Sequence, residues 1–205
     1  MNHEVNQKSE IFKKDIIIAG VGGQGIVSIA SVIGYATLEA RLFFKQSEVH
    51  GMSQRGGDVQ SHFRIANYPI HSDTIPLGKA DLIISVEPLE ALRYVNYLSA
   101  DGWIITNSIP FENIPNYPDL KLVHNTINEF PKSIIFNADE EARKIGTAKA
   151  ANMVLLGAAS SFLGLEFSTL ENGIKKLFGR KGDKVVDINL RALARGIELY
   201  NKLKK

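Results

Sequence analysis

The run His50-Gly51-Met52-Ser53-Gln54-Arg55-Gly56-Gly57 carries the residue types in this chain best equipped for chemistry. Arg55 can clamp a carboxylate or phosphate through two parallel N–H donors, and the amides of Gly56 and Gly57 add more. Ser53 and Gln54 can hydrogen-bond a polar ligand. His50 is the candidate for proton transfer. A structural reading stands beside this one: Arg55 pairs with Asp58 or Glu48, and His50 caps a loop. Upstream, Gly20-Val21-Gly22-Gly23-Gln24-Gly25 is a second glycine-rich turn. Gly20, Gly22 and Gly25 satisfy G-x-G-x-x-G, with Gly23 and Gln24 between them; such a turn aims its amides and the next helix N-terminus at a phosphate. The alternative is a tight packing turn that binds nothing.

Two checks narrow the first turn. Ile26 stands where a Walker A loop needs lysine, which argues against a P-loop nucleotidase. A dinucleotide site places an acid at the end of the second strand, but that region reads Phe44-Lys45-Gln46-Ser47-Glu48, with Glu48 late and expected in the glycine loop. Glu87 follows a buried strand and either meets a ligand there or caps a helix that opens at Pro88. The basic segment Arg180-Lys181-Gly182-Asp183-Lys184 either contacts a phosphate or is a solvated loop. No Ser–His–Asp arrangement, nucleophile elbow or metal-binding His pair is visible, so no metal site is expected.

These turns need a scaffold, and 205 residues at 44% hydrophobic content can bury one sizeable core. Residues 1–14 read as a flexible tail without the apolar stretch of a secretory leader, and residues 15–205 as a single domain. Residues 15–19 form a β-branched run expected as a buried parallel strand, followed by the first turn and a helix over 24–40. Residues 42–45 suggest a second strand. In residues 59–65, strict alternation marks an antiparallel or edge strand. Further strands are expected at 81–86, 103–106, 120–123 and 133–136. Helices are expected from Pro88 to Leu98 and over 138–145 and 148–163. Ser168 with Glu171 resembles a capping box for a helix ending at Phe178-Gly179, and an amphipathic helix runs through Val186, Leu190, Leu193, Ile197 and Tyr200. The pattern gives an α/β fold: three layers, Rossmann-like, with a mostly parallel sheet and one alternating strand.

Charge and composition exclude several classes. A net charge of +2 is too small for a protein that neutralises many phosphates of a nucleic acid, and an isolated Arg-Gly-Gly is no RNA-binding tract. With no cysteine, the chain has no disulfide, no thiol nucleophile and no thiolate for an iron–sulfur cluster. The apolar segment 153–165 is too short to cross a bilayer, so no membrane association and a cytoplasmic location are expected.

The two glycine turns together resemble the γ-type component of the 2-oxoacid:ferredoxin oxidoreductases. The run Glu48-Val49-His50-Gly51-Met52-Ser53-Gln54-Arg55-Gly56-Gly57 is similar to the β subunit of the indolepyruvate members of that family. Ala80-Asp81-Leu82, Glu87-Pro88-Leu89-Glu90-Ala91-Leu92-Arg93 and Asn152-Met153-Val154-Leu155-Leu156-Gly157 extend the likeness across residues 15–165. The resemblance implies a small subunit of a complex that decarboxylates a 2-oxoacid, an arylpyruvate such as indolepyruvate, to an acyl-CoA. It implies thiamine diphosphate and [4Fe–4S] clusters on a large partner subunit, coenzyme A as co-substrate, and ferredoxin as acceptor. Gly20, Gly22, Gly23, Gln24, Gly25, Ser53, Gln54, Arg55, Gly56, Gly57 and Glu87 would then line or cap a shared cleft. Two other classes stay open: a stand-alone NAD(P)-binding oxidoreductase, and a non-catalytic metabolite-binding protein.

Overall fold

A computed structural model describes residues 11–51, 56–112 and 114–204. The chain runs β1 (Lys13–Val21), α1 (Ile26–Glu39), β2 (Phe43–His50), β3 (Asp58–Ala66), β4 (Ala80–Ser85), α2 (Pro88–Arg93), β5 (Leu98–Asn107), α3 (Leu120–Asn128), β6 (Ser133–Phe136), α4 (Ala138–Ile145), α5 (Ala151–Ala159), α6 (Phe167–Phe178) and α7 (Asp183–Leu203). Six strands form one sheet in the order β2-β3-β1-β4-β5-β6. From β1 outward through β4, β5 and β6 the pairs are parallel; β3 is antiparallel to both β1 and β2.

β1 shows why this sequence makes this sheet. Its isoleucines are β-branched and therefore suit a pleated surface covered on both sides. Ile16 and Ile18, with Leu82 and Ile84 of β4, enter the larger core built with α1 and α5 to α7. Ile17, Ala19 and Ile83 face the opposite way, toward Ile75 and Tyr94. On that second face, Ala91 of α2 and Val123 and Ile127 of α3 pack on Ile104 of β5. Layers of helix, sheet and helix result, as the alternation of elements predicts. Asp15 is also fully buried in β1, where its carboxylate accepts Arg64 Nε at 2.7 Å and Lys13 Nζ at 2.5 Å.

Several sequence expectations change. β1 begins at Lys13, inside the stretch read as a tail, and residues 1–10 lie outside the described residues. β2 continues to His50 because each residue from Phe43 onward pairs with β3, so Glu48 and His50 belong to a strand rather than a loop. The alternating strand β3 is antiparallel as expected, but β2 covers its outer side and takes the edge. Helix α2 stops at Arg93 and a 3-10 turn over Val95–Tyr97 leads into β5, which already starts at Leu98. Asp101-Gly102 therefore lies within β5, where the pairing with β4 shifts register. Residues 120–123 are helical: Asp119 accepts the Leu122 N–H at 3.1 Å as an N-cap, and Val123 and Ile127 share the buried face. Helix α6 starts at Phe167 with Glu166 as N-cap residue, which leaves Ser168 inside the first turn and no capping box. The helix expected over 148–163 is α5 with a 3-10 turn at each end.

Candidate functional site

The first glycine turn leaves the carboxyl end of β1 and opens α1 at Gly25. Gln24 holds its shape: its Oε1 accepts the Val21 N–H at 2.8 Å, and its own N–H donates to Val21 O at 3.1 Å. Gly25 has φ +86°, a left-handed conformation that glycine adopts without steric cost. A Cβ there would also lie 2.3 Å from Nδ2 of Asn152. That amide, at the start of α5, donates to Gly25 O at 3.2 Å. A residue far along the chain therefore fixes the turn.

The second glycine turn joins β2 to β3 at the same end of the sheet. Gly51 N–H donates to Asp58 O at 3.2 Å, closing the base of the hairpin. Gly22 N–H donates to Gly57 O at 2.8 Å, so the two turns share a hydrogen bond and form one surface. Gly20, Gly22, Gly23, Gln24, Gly25, His50, Gly56 and Gly57 thus gather at the carboxyl end of β1. Ser53, Gln54 and Arg55 lie outside the described residues.

Two cavities flank the first turn. One, of about 640 Å³, lies between Gly23–Gly25 and the helices α5 and α7. Its walls include Val86, Phe178, Val185 and Ile188; Lys149, Lys181 and Asn189 supply polar groups. The other, of about 500 Å³, has Ile26, Val27 and Val59 as an apolar floor and Glu48 and His50 at its rim. Gly23 and Gly25 line both. Open α/β sheets place ligands at such carboxyl ends, where neighbouring strands send their connections to opposite faces. Here α1 lies on one face and α2 on the other, so the crevice between β1 and β4 is that point.

His50 is exposed, and its Nδ1 lies 3.3 Å from Gly51 O. Glu87 is buried, and its carboxylate caps α2 by accepting the Glu90 N–H at 2.8 Å. It also accepts from the Tyr117 hydroxyl and, at 3.4 Å, from the Phe111 N–H. The capping role is the one the structure displays. Burial pushes Glu90 above the usual carboxylate range despite its bond to Arg93, with the Glu87 and Asp58 charges acting in the same direction. Burial, then the bond to Glu87, likewise raises the Tyr117 phenol.

Sequence reasoning missed Lys149, Asn152 and Asn189, and left Lys181 between two readings. Asn189 did leave a signal: it lies on the stripe of α7 that carries Val186 and Leu193, where a polar residue is out of place. Lys149 gave none, since only the fold brings residue 149 to the first glycine turn. Among the described residues, no group of three or more His, Asp or Glu side chains could hold a metal ion. No helix among them is long and apolar enough to cross a membrane.

The sequence profile described as "Pyruvate ferredoxin/flavodoxin oxidoreductase" matches residues 15–199. The chain is similar to indolepyruvate oxidoreductase subunit IorB of Thermococcus kodakarensis, 37% identical over 92% of this chain and 96% of that protein. Its similarity to the IorB subunit of Methanothermobacter thermautotrophicus is 38% over 89% and 95%. Among solved structures, the pyruvate oxidoreductase subunit PORC of Thermotoga maritima superposes with a TM-score of 0.70 at 23% identity, covering 91% of this chain and 96% of that one. A 2-oxoglutarate:ferredoxin oxidoreductase from Magnetococcus marinus, solved with 2-oxoglutarate, coenzyme A and succinyl-CoA, gives a TM-score of 0.73 at 21% identity. That match covers 93% of this chain and 31% of the longer one.

Proposed function

Since the chain belongs to the pyruvate ferredoxin/flavodoxin oxidoreductase family, we propose that its two glycine turns form one wall of an active-site cleft completed by a larger subunit. The chain is a small, non-autonomous subunit of a 2-oxoacid:ferredoxin oxidoreductase and is similar to IorB subunits. The proposed reaction is oxidative decarboxylation of a 2-oxoacid, an arylpyruvate in the first instance, to an acyl-CoA with ferredoxin as acceptor. The proposed location is the cytoplasm.

One observation carries the reading. The Gly22 N–H to Gly57 O bond makes the two turns a single loop surface, while the amides of Gly23 and Gly25 have no backbone acceptor among the described residues. Such amides, backed by the N-terminus of α1, suit an anion or a thioester carbonyl. With no cysteine, the donor set of this chain does not fit an iron–sulfur cluster. On the partner, thiamine diphosphate and the clusters would supply the decarboxylation and the one-electron steps. This chain would bind coenzyme A, orient it and exclude water from the cleft; His50 and Glu48 would line the apolar groove by which the ligand leaves toward the partner. Arg55 would be an anion-binding group of the second turn.

The test is co-expression with a large thiamine-binding subunit and an assay of coenzyme A-dependent viologen reduction by indolepyruvate, phenylpyruvate, pyruvate and 2-oxoisovalerate. Removing this chain is expected to abolish most of the rate, and Arg55→Ala to raise the KM for coenzyme A. Full turnover by the large subunit alone would overturn the proposal. A preference for pyruvate over the arylpyruvates would overturn the substrate class and leave the role of the chain intact.

A further inference from the structure

We propose that Tyr94 is a positioning residue: through Asp58 it ties α2, on one face of the sheet, to the seam where the two glycine turns meet. Tyr94 directly follows α2 and is 6% exposed, with its ring among Ile17, Ala19, Ile75 and Ile83. A phenylalanine would fill that space as well, so packing does not account for the hydroxyl. The hydroxyl donates to Oδ2 of Asp58 at 3.3 Å, 36 residues away in the chain. Burial raises the phenol pKa, and the Asp58 and Glu90 charges push it the same way, so the group keeps its proton and donates.

Asp58 stands where the seam is fixed. It is the first residue of β3 and follows Gly57, whose carbonyl accepts the Gly22 N–H. Its own carbonyl accepts the Gly51 N–H, and across the ladder its register partner is Val21, the last residue of β1. Both turns therefore leave the sheet beside one residue. Asp58 is exposed and has no ion-pair partner among the described residues. Arg93, next to Tyr94 in the chain, is bound elsewhere: its Nε and an Nη donate to Glu90 at 2.8 and 3.2 Å. Orienting the Asp58 carboxylate thus falls to the phenol. Asn152 holds the first turn from the face that carries α1, and Tyr94 holds the seam from the other.

The inference rests on the proposed function only for what the seam does in the complex, and two measurements keep the two apart. The first is amide hydrogen exchange on the full chain. Tyr94→Phe is expected to speed exchange at Gly22 and Gly51 about fivefold, the worth of one hydrogen bond, while the amides of β4 keep their protection. Unchanged protection at Gly22 and Gly51, or equally faster exchange throughout the chain, overturns the proposal. The second is kinetics of the reconstituted complex. Tyr94→Phe and Asp58→Ala are each expected to raise the KM for coenzyme A about fivefold and to leave kcat within about twofold. Their combination should be no worse than either alone, because both remove one bond. Asp58→Asn keeps an oxygen for the phenol and should restore the parental KM. Additive effects, an unmoved KM, or an Asp58→Asn variant as impaired as Asp58→Ala would each overturn the positioning role. If turnover does not require this chain at all, the proposed function falls, and the exchange result alone decides whether Tyr94 holds the seam.

Discussion

Asn152 and Gly25 are bound at 3.2 Å by a hydrogen bond from the side-chain amide of one to the carbonyl of the other, although 127 residues separate them. The contact is reciprocal. Gly25 accepts the bond, and its missing Cβ gives the amide room. Gly25→Ala is expected to cost about 2 kcal/mol, from a side chain at positive φ and from the clash. Asn152→Ala should cost about 1 kcal/mol through the lost bond. Thermal denaturation checks both. If the turn matters as proposed, each variant also raises the KM for coenzyme A in the reconstituted complex.

α5 and α7 cross where Gly157 and Gly196 meet. A Cβ on Gly157 would lie 2.0 Å from Leu193 O, and one on Gly196 equally close to Val154 O. Neither obstacle is a side chain that could swing away. Gly157→Ala and Gly196→Ala are each expected to cost about 3 kcal/mol, the upper range for overpacking, because the helices themselves must separate. Urea denaturation would show it.

Asp15 is fully buried and holds Arg64 through two bonds, Nε to Oδ1 at 2.7 Å and an Nη to Oδ2 at 3.2 Å. Asp15→Ala strips Arg64 of its counter-charge and is expected to cost about 3 kcal/mol. The pair lies at the amino end of β1, away from the glycine turns. Activity per folded molecule should therefore be unchanged while the melting point drops, and a variant with normal stability would refute the assignment.

His62 on β3 is buried, and its Nδ1 accepts the Ile75 N–H at 3.0 Å. Burial lowers its pKa from 6.5; the Asp73 charge opposes this and the Arg64 charge reinforces it. In the unfolded chain the ring regains its ordinary value, so below pH 6.5 the unfolded state takes up a proton that the folded state refuses. Stability is thus full above pH 6.5 and falls as the pH drops below it toward the lowered value. His62→Gln keeps an acceptor and cannot titrate. Between pH 7.5 and pH 5, its denaturation midpoint should fall less than that of the parent.

The sequence carried the fold class because β1 and β4 are continuous apolar runs, α1 keeps helical spacing and β3 alternates, and the glycine turns are spelled out in contiguous residues. What it hid was non-local. Residues 120–123 read as a short apolar strand until Ile127 is seen to share a face with Val123 and Asp119 to cap the helix. Glu48 looked like a loop residue because eight successive pairings with β3 lie outside local sequence logic. Lys149 and Asn152 reach the first turn only through the packing of α5. For Glu87 the sequence left two readings, a ligand contact and a cap for the helix opening at Pro88, and the fold displays the cap.

The place of β3 in the sheet also sets the direction in which a ligand can lie. In a dinucleotide fold the strand beside β1 is the second one, and its terminal acid meets the ribose of a phosphate-bound ligand. Here β3 takes that lane, so Glu48 stands two strand spacings, about 10 Å, from β1. A phosphate on the Gly20–Gly25 turn would therefore not meet Glu48 as a ribose reader in the adjacent lane. The polar side chains that line the other flank of the turn, Lys149, Lys181 and Asn189, stand around α5 and α7, so a ligand held on the turn would have that other direction open to it. A shared glycine fingerprint thus specifies where the phosphate goes, and the neighbouring strand decides which half of the molecule follows it.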